Sequence, residues 1–287
     1  MRFFIPLLFA GWIPAIMAVD AGVVLRPVAN MYAKSSVDAG VVSQAIYGAH
    51  VRYLDKQPGW VKVKTPDDYE GWIEAAALRD LKEGEKAYAT SGKVAAVESL
   101  FAHLYRENSV NKHQPLLTVP FETRLEVVAE PGAEGGRWLQ VRLADDRPAW
   151  VQRGDLSFLN GPLEIDQVIG LARRFLGLPY TWGGTSSFGY DCSGFMQMLC
   201  RKRGVVIPRD AQPQAHWSGL TPVPRLNLRK GDLLYFGSGE QKITHTGMYI
   251  GGGEFISSTA HQRPVVRISR LDEEHWTRLF VCARRLK

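Results

Sequence analysis

The chain has 287 residues, 45% of them hydrophobic and 22% charged, with a formal net charge of +6. That balance supplies apolar material for two or three folded domains and excludes a disordered or fibrous chain. The basic residues are scattered, with one modest cluster at Arg284, Arg285 and Lys287. A nucleic-acid binder would carry a denser stripe with interleaved aromatics, so the charge implies no more than weak attraction to an anionic polymer or surface.

Residues 1–18 open with Arg2, run apolar from Phe3 to Met17 and end on Ala18. This is the layout of a cleavable secretory signal, which places the mature chain in the periplasm or cell envelope with no membrane attachment after cleavage. An uncleaved anchor is the rival reading, although the run is short for a span. Of the three cysteines, Cys200 and Cys282 are most simply buried small hydrophobes, and spacing alone does not pair them. Cys192 is left over. No Cys/His spacing suggests a metal site, and no cofactor is expected.

Residues 19 to about 158 contain an internal repeat. Gly59-Trp60-Val-Lys-Val-Lys-Thr-Pro-Asp67-Asp68-Tyr69-Glu-Gly-Trp72 aligns without a gap on Arg137-Trp138-Leu-Gln-Val-Arg-Leu-Ala-Asp145-Asp146-Arg147-Pro-Ala-Trp150. In both copies an alternating strand, a turn on two aspartates and a short strand opened by Trp predict a hairpin, with another alternating strand upstream. Short strands and no helical period predict two small β-barrels, over 19–80 and, after a linker at about Glu83–Gly92, within 81–160. The tryptophans are read as barrel core, with wall-polymer or peptide binding as the other use for any that face outward. The pattern resembles bacterial SH3-like (SH3b) domains, better in the first copy.

Gly161-Pro162 marks the next boundary, and over 161–287 the period changes. Ile165, Val168, Ile169, Ala172, Phe175 and Leu176 predict one apolar helix face ending near Gly177. A glycine-rich coil from Tyr180 leads to a second helix, with Asp191 as N-cap, Phe195, Met196 and Leu199 inward, and Gly204 as stop. Cys192 therefore sits at a helix N-terminus, where the dipole favours thiolate. With Asp191 and Ser193 beside it, the sulfur is expected to be exposed and nucleophilic. Strands follow around 232–236, 244–250, 255–258, 265–268 and 279–282, so helices come first and an antiparallel meander second, an α+β layout.

A thiol nucleophile needs a basic imidazole. Of the seven histidines, His245 lies within a well-formed strand of this half. A three-residue loop at Gly251-Gly252-Gly253 would put Ser257 opposite Gly247, so that Ser257 and His261 flank His245 and either could orient it.

Tyr180-x-Trp-Gly-Gly, Asp191-Cys192-Ser193-Gly194, Pro208-Arg209-Asp210, Lys230-Gly231-Asp232 and His245-x-Gly-x-Tyr-Ile-Gly251 occur in the order and spacing of the NlpC/P60 peptidoglycan cysteine endopeptidases, which the region 160–285 resembles. The resemblance implies a papain-like catalytic domain with Cys192 as nucleophile and His245 as base. It also implies that the Tyr180 hydroxyl and the Cys192 amide assist the oxyanion, and that a third polar residue lies twelve positions after the base. That position is Ser257, where the family more often has His, Asn or Gln.

Members joining SH3b domains to this domain resemble enzymes that cut between γ-D-glutamate and the following diamino acid, usually meso-diaminopimelate, in stem peptides with a free N-terminal L-alanine. Asp191 and Ser193 could hold that ammonium, and Tyr69 matches a tyrosine closing the pocket. Asp38 is the candidate for the acidic residue lent by the first barrel, and the polar residue often found after Arg-Asp is Ala211 here. The expected protein is a monomeric thiol peptidase acting on peptidoglycan stem peptides or muropeptides. The alternatives are a weak or inactive wall-binding scaffold, or an amidase or acyltransferase on the same fold.

Overall fold

Alternation of Val61 and Val63 with Lys62 and Lys64 turns one face of a strand inward, and the same logic builds the first third of the molecule. In the computed structural model, which describes residues 21–131, 136–158 and 161–287, strands 21–24, 28–32, 41–46, 50–57, 60–64, 70–74 and 78–80 form one seven-stranded sheet. The predicted signal segment lies outside the described residues. Val24, Met31, Val51, Val63 and Ile73 fill the core, each fully buried aliphatic contributing about 1.5–3 kcal/mol.

The repeat is structural as well as sequential. In the second β unit, strands 138–142 and 148–152 pair as 60–64 and 70–74 do, and a 3-10 turn at 153–155 matches the one at 75–77. Asp68 and Asp146, equivalent across the repeat, both take left-handed φ, 63° and 67°. The predicted core role of the tryptophans is corrected: Trp60, Trp72, Trp138 and Trp150 are all half-buried. They lie on the outward face of their strands, where Trp60 packs edge-on against Tyr32 and Trp138 against Tyr105. The segment between the two sheets, residues 81–93, carries no strand, yet it packs: Tyr88 and Ala89 are buried in the second core, and the Tyr88 hydroxyl donates to the Arg142 carbonyl.

Each Asp-Asp turn docks on a neighbour. Beside the second turn, the amide of Ala144 donates to the Tyr47 hydroxyl oxygen at 2.8 Å, and the Ala144 carbonyl accepts from Arg79 Nε. The first turn faces the C-terminal unit, described below.

That unit has helices α1 (Ile165–Arg173), α2 (Cys192–Lys202), α3 (Ala211–His216) and α4 (Glu274–Leu279) with a six-stranded antiparallel sheet. The meander runs through 233–239, 242–251, 254–259 and 265–270, and strand 280–286 returns beside 233–239 with 220–223 outside it. Helix α2 is buried along its whole apolar length, and Phe121 of the second β unit packs edge-on against Phe175 in the same core. Leu176 was expected inward but is exposed, because α1 ends at Arg173 before the face comes round again.

Candidate active site

The coil before α2 is glycine-rich because backbone must meet backbone there. A Cβ on Gly194, in the first turn of α2, would collide with the Gly184 carbonyl, and one on Gly184 would collide with the Gly189 carbonyl. Gly183 takes φ +74°, a conformation costly for other residues. Asp191 caps the helix as expected, its Oδ1 accepting from the Gly194 amide at 2.7 Å. Cys192 is thereby the first helical residue, and its own amide has no intrahelical acceptor.

The sulfur is buried, which corrects the expectation of an exposed thiolate. Burial, and then the nearby Asp191 charge, push the Cys192 thiol up to about 12, outweighing the opposite pull of the Thr246 and Ser193 backbone amides and of the Arg209 charge. Desolvation wins over the helix end. Tyr180, half-buried, is close enough to feel Cys192: burial first, then the charges of Cys192 and Asp191, raise its phenol above the ordinary value. All three cysteines are free, with Cys200 buried in the core and Cys282 partly so.

The strand Lys242–Gly251 carries the candidate base, His245, and packs against α2, so the candidate nucleophile and the imidazole belong to one helix–strand seam. Met248 pairs with Ile256 and Tyr249 with Phe255, the expected register, but Gly251 pairs with Glu254. The loop is therefore the two residues Gly252-Gly253 with a bulge, instead of three. The consequence at the site is unchanged: His245 Nε2 lies 3.2 Å from Ser257 Oγ. Gly247 has a reason too, since a Cβ there would press on Phe255 and Ser257. His261 does not orient His245; its ring stacks on His275 with centroids 3.6 Å apart.

The pocket flank differs from expectation. Asp191 and Ser193 are buried and already engaged: Arg209 donates from Nη1 to Asp191 Oδ1 (3.1 Å) and to Ser193 Oγ (2.9 Å), and from Nη2 to Asp191 Oδ2 (2.7 Å). Arg209 Nε reaches Ser43 of the first β unit at 3.1 Å. Neither Asp191 nor Ser193 is left open to an incoming ammonium. The Tyr69 hydroxyl donates to Asp210 Oδ2 at 3.0 Å. Burial and then the Asp210 carboxylate raise its phenol to about 12. Asp210 is half-buried, and among the described residues no cation pairs with it. Asp38 is exposed, with its amide on Ser36 Oγ.

Sequence reasoning missed Arg209 as a site residue, although it stands in the Pro-Arg-Asp motif. It also missed Gln197, whose Nε2 donates to Asp67 Oδ2 (2.9 Å) and the Ile207 carbonyl (3.0 Å), pinning the first Asp-Asp turn to α2. A polar residue within Phe-Met-Gln-Met-Leu was its signal. Among the described residues no cluster of three or more metal-ligating side chains occurs.

Comparison with known proteins places this geometry. The model described as "NlpC/P60 family" matches residues 177–285, and that described as "Bacterial dipeptidyl-peptidase Sh3 domain" matches residues 31–78. A gamma-D-glutamyl-L-lysine dipeptidyl-peptidase of Bacillus cereus is 34% identical over 238 residues, 78% of this chain and 68% of that protein. The protein of the same name from Bacillus subtilis is 33% identical, covering 77% and 73%. The crystal structure of an NlpC/P60 family protein from Bacillus cereus superposes with a TM-score of 0.80 at 27% identity, covering 93% of this chain and 99% of that one.

Proposed function

The chain belongs to the NlpC/P60 family, and on that premise we propose that it is an exported cysteine peptidase cutting peptidoglycan stem peptides between γ-D-glutamate and the following diamino acid. One observation carries the reading: Cys192 heads α2, which packs against the strand Lys242–Gly251 that carries His245, whose ring is held there by Ser257 at 3.2 Å.

His245 presents Nε2 to Ser257, which leaves Nδ1 for the thiol proton. Sγ of Cys192 then attacks the γ-glutamyl carbonyl, and the oxyanion is met by the Cys192 amide and the Tyr180 hydroxyl. The imidazolium protonates the departing amine. Water, giving its proton to His245, hydrolyses the thioester and restores the thiol.

The bond is suggested by the names of the two Bacillus relatives, which specify γ-D-glutamyl-L-lysine. The terminal preference is suggested by Tyr69 and Asp210, which together close one end of the site. Asp210 takes the role first considered for Asp191, holding the free ammonium of an N-terminal L-alanine beside the Tyr69 hydroxyl. Stems still joined to glycan have no such ammonium. We read the second β unit as a further SH3-like domain from its shared turn and strand order, and residues 1–18 as a signal cleaved before residue 19, which sequencing the mature N-terminus tests.

The test of the reaction is product mass spectrometry on L-Ala-γ-D-Glu-diamino acid peptide, free and attached to its muramyl sugar. A new amine on the diamino acid with wild type and none with Cys192→Ala supports the peptidase. An altered acyl group instead would make it an acyltransferase, and no turnover of either would leave a wall-binding protein.

A further inference from the structure

His245 is held on two sides by different chemistry. On one is the neutral hydroxyl of Ser257. On the other is the indole of Trp276, from α4, whose ring lies nearly parallel to the imidazole at 28° with centroids 5.0 Å apart. Trp276 is 2% exposed and is fixed from behind by Phe236 and Phe255 at 5.1 and 5.2 Å. Its indole N–H has no hydrogen-bond partner among the described residues, so stacking and packing set the ring's position.

The catalytic cycle needs His245 to become a cation, and its surroundings oppose that. Burial, with His275 and His261 adding to it, pushes the imidazole down to about 3. The other groups facing it are Phe236, whose ring is 5.7 Å away, and the Cys192 side of the seam. His261 and His275 stand edge-on to the far parts of Trp276, at 5.7 and 4.6 Å, with Glu273 and Arg278 next to His275. A serine hydroxyl offers a small dipole to the imidazolium. An aromatic face within about 6 Å offers an electrostatic attraction of the right sign, strongest for indole.

We propose that Trp276 is the positioning residue of His245: its indole face fixes the imidazole plane and stabilises the imidazolium, supplying stabilisation that a more basic side chain at position 257 would otherwise provide. The proposal rests on the assignment of His245 as base given above.

Four variants test it: Trp276→Leu, Trp276→Phe, Ser257→His, and the double variant Trp276→Leu/Ser257→His, each first checked for a native melting transition. Trp276→Leu should lower kcat about tenfold with KM within about twofold, and Trp276→Phe should fall between it and wild type. In the Ser257→His background the loss from Trp276→Leu should shrink to about twofold, because the second partner now carries the cation. An equal loss in both backgrounds would make Trp276 a packing residue only and overturn the proposal. If Trp276→Leu does not fold, Trp276→Phe is compared in the two backgrounds by the same criterion. Should wild type lack peptidase activity, NMR titration of the His245 ring still decides: a lower imidazole pKa in the Trp276 variant supports the proposal, and an unchanged or higher one overturns it.

Discussion

The imidazole Nε2 of His245 and the Oγ of Ser257 face each other at 3.2 Å across neighbouring strands of the catalytic sheet. The hydroxyl is neutral and buried, so it holds the ring's orientation through one ordinary hydrogen bond, worth about 1 kcal/mol. Ser257→Ala should therefore lower kcat only about fivefold, with KM unchanged in steady-state hydrolysis of the free peptide. A loss beyond a hundredfold would give Ser257 the weight of a full triad member, against this assignment.

The Arg209 and Asp191 pair is the most deeply buried ion pair of the site, with side-chain exposures of 1% and 10%. Removing one partner strands the other charge, which typically costs about 3–5 kcal/mol. Arg209→Met and Asp191→Asn should each lower the urea midpoint strongly, while the double variant should recover part of the loss. Asp191→Asn still accepts from Gly194 but leaves Arg209 uncompensated. If the two single losses simply add in the double variant, the pair is not coupled and the account of the pocket floor is wrong.

The parts legible in sequence were those with periodic or local signals. The gap-free alignment of Trp60 on Trp138 foretold a structural repeat, and the structure adds that Asp68 and Asp146 share a left-handed φ. Asp191 as cap and the strand register that brings Ser257 to His245 followed from local rules. What was hidden depends on residues distant in the chain. Asp191 and Ser193 look available in isolation, and only Arg209, folded back from beyond α2, uses them up. Burial of the Cys192 sulfur has the same origin, since the Thr246 strand covers it. Trp276 gave no signal because α4 is six residues long, too short for a period.

Acid should destabilise the fold through His245. Burial first, then His275 and His261, hold its folded pKa near 3, against an ordinary value of 6.5. As pH falls the unfolded chain takes up the proton first, so stability is lost as pH drops from about 6.5 toward 3, and above that window this group has no effect. His275 is also lowered, by burial first and then by His261, and acts in the same direction. Thermal unfolding at pH 7 and pH 4.5 should show a smaller drop in Tm for His245→Gln than for wild type. Equal drops would mean that His245 is not held neutral by its surroundings.

On the proposed function, Tyr69 couples the first β unit to substrate choice. Its hydroxyl donates to Asp210 at 3.0 Å while Gln197 holds Asp67 two residues before it, so the turn reaches the site as a fixed wall. Tyr69→Phe removes one donor and keeps the wall. It should raise KM for the free peptide about tenfold or more, the worth of a single hydrogen bond to a charged group, and should not admit glycan-linked stems. Tyr69→Gly removes the wall as well, and should allow cleavage of the muramyl-linked stem while Asp210 still favours the free amine. Measured as the ratio of kcat/KM for the two substrates, selectivity should hold in Tyr69→Phe and fall in Tyr69→Gly. If both variants keep the wild-type ratio, exclusion of glycan arises elsewhere in the site and the closing role of Tyr69 is refuted.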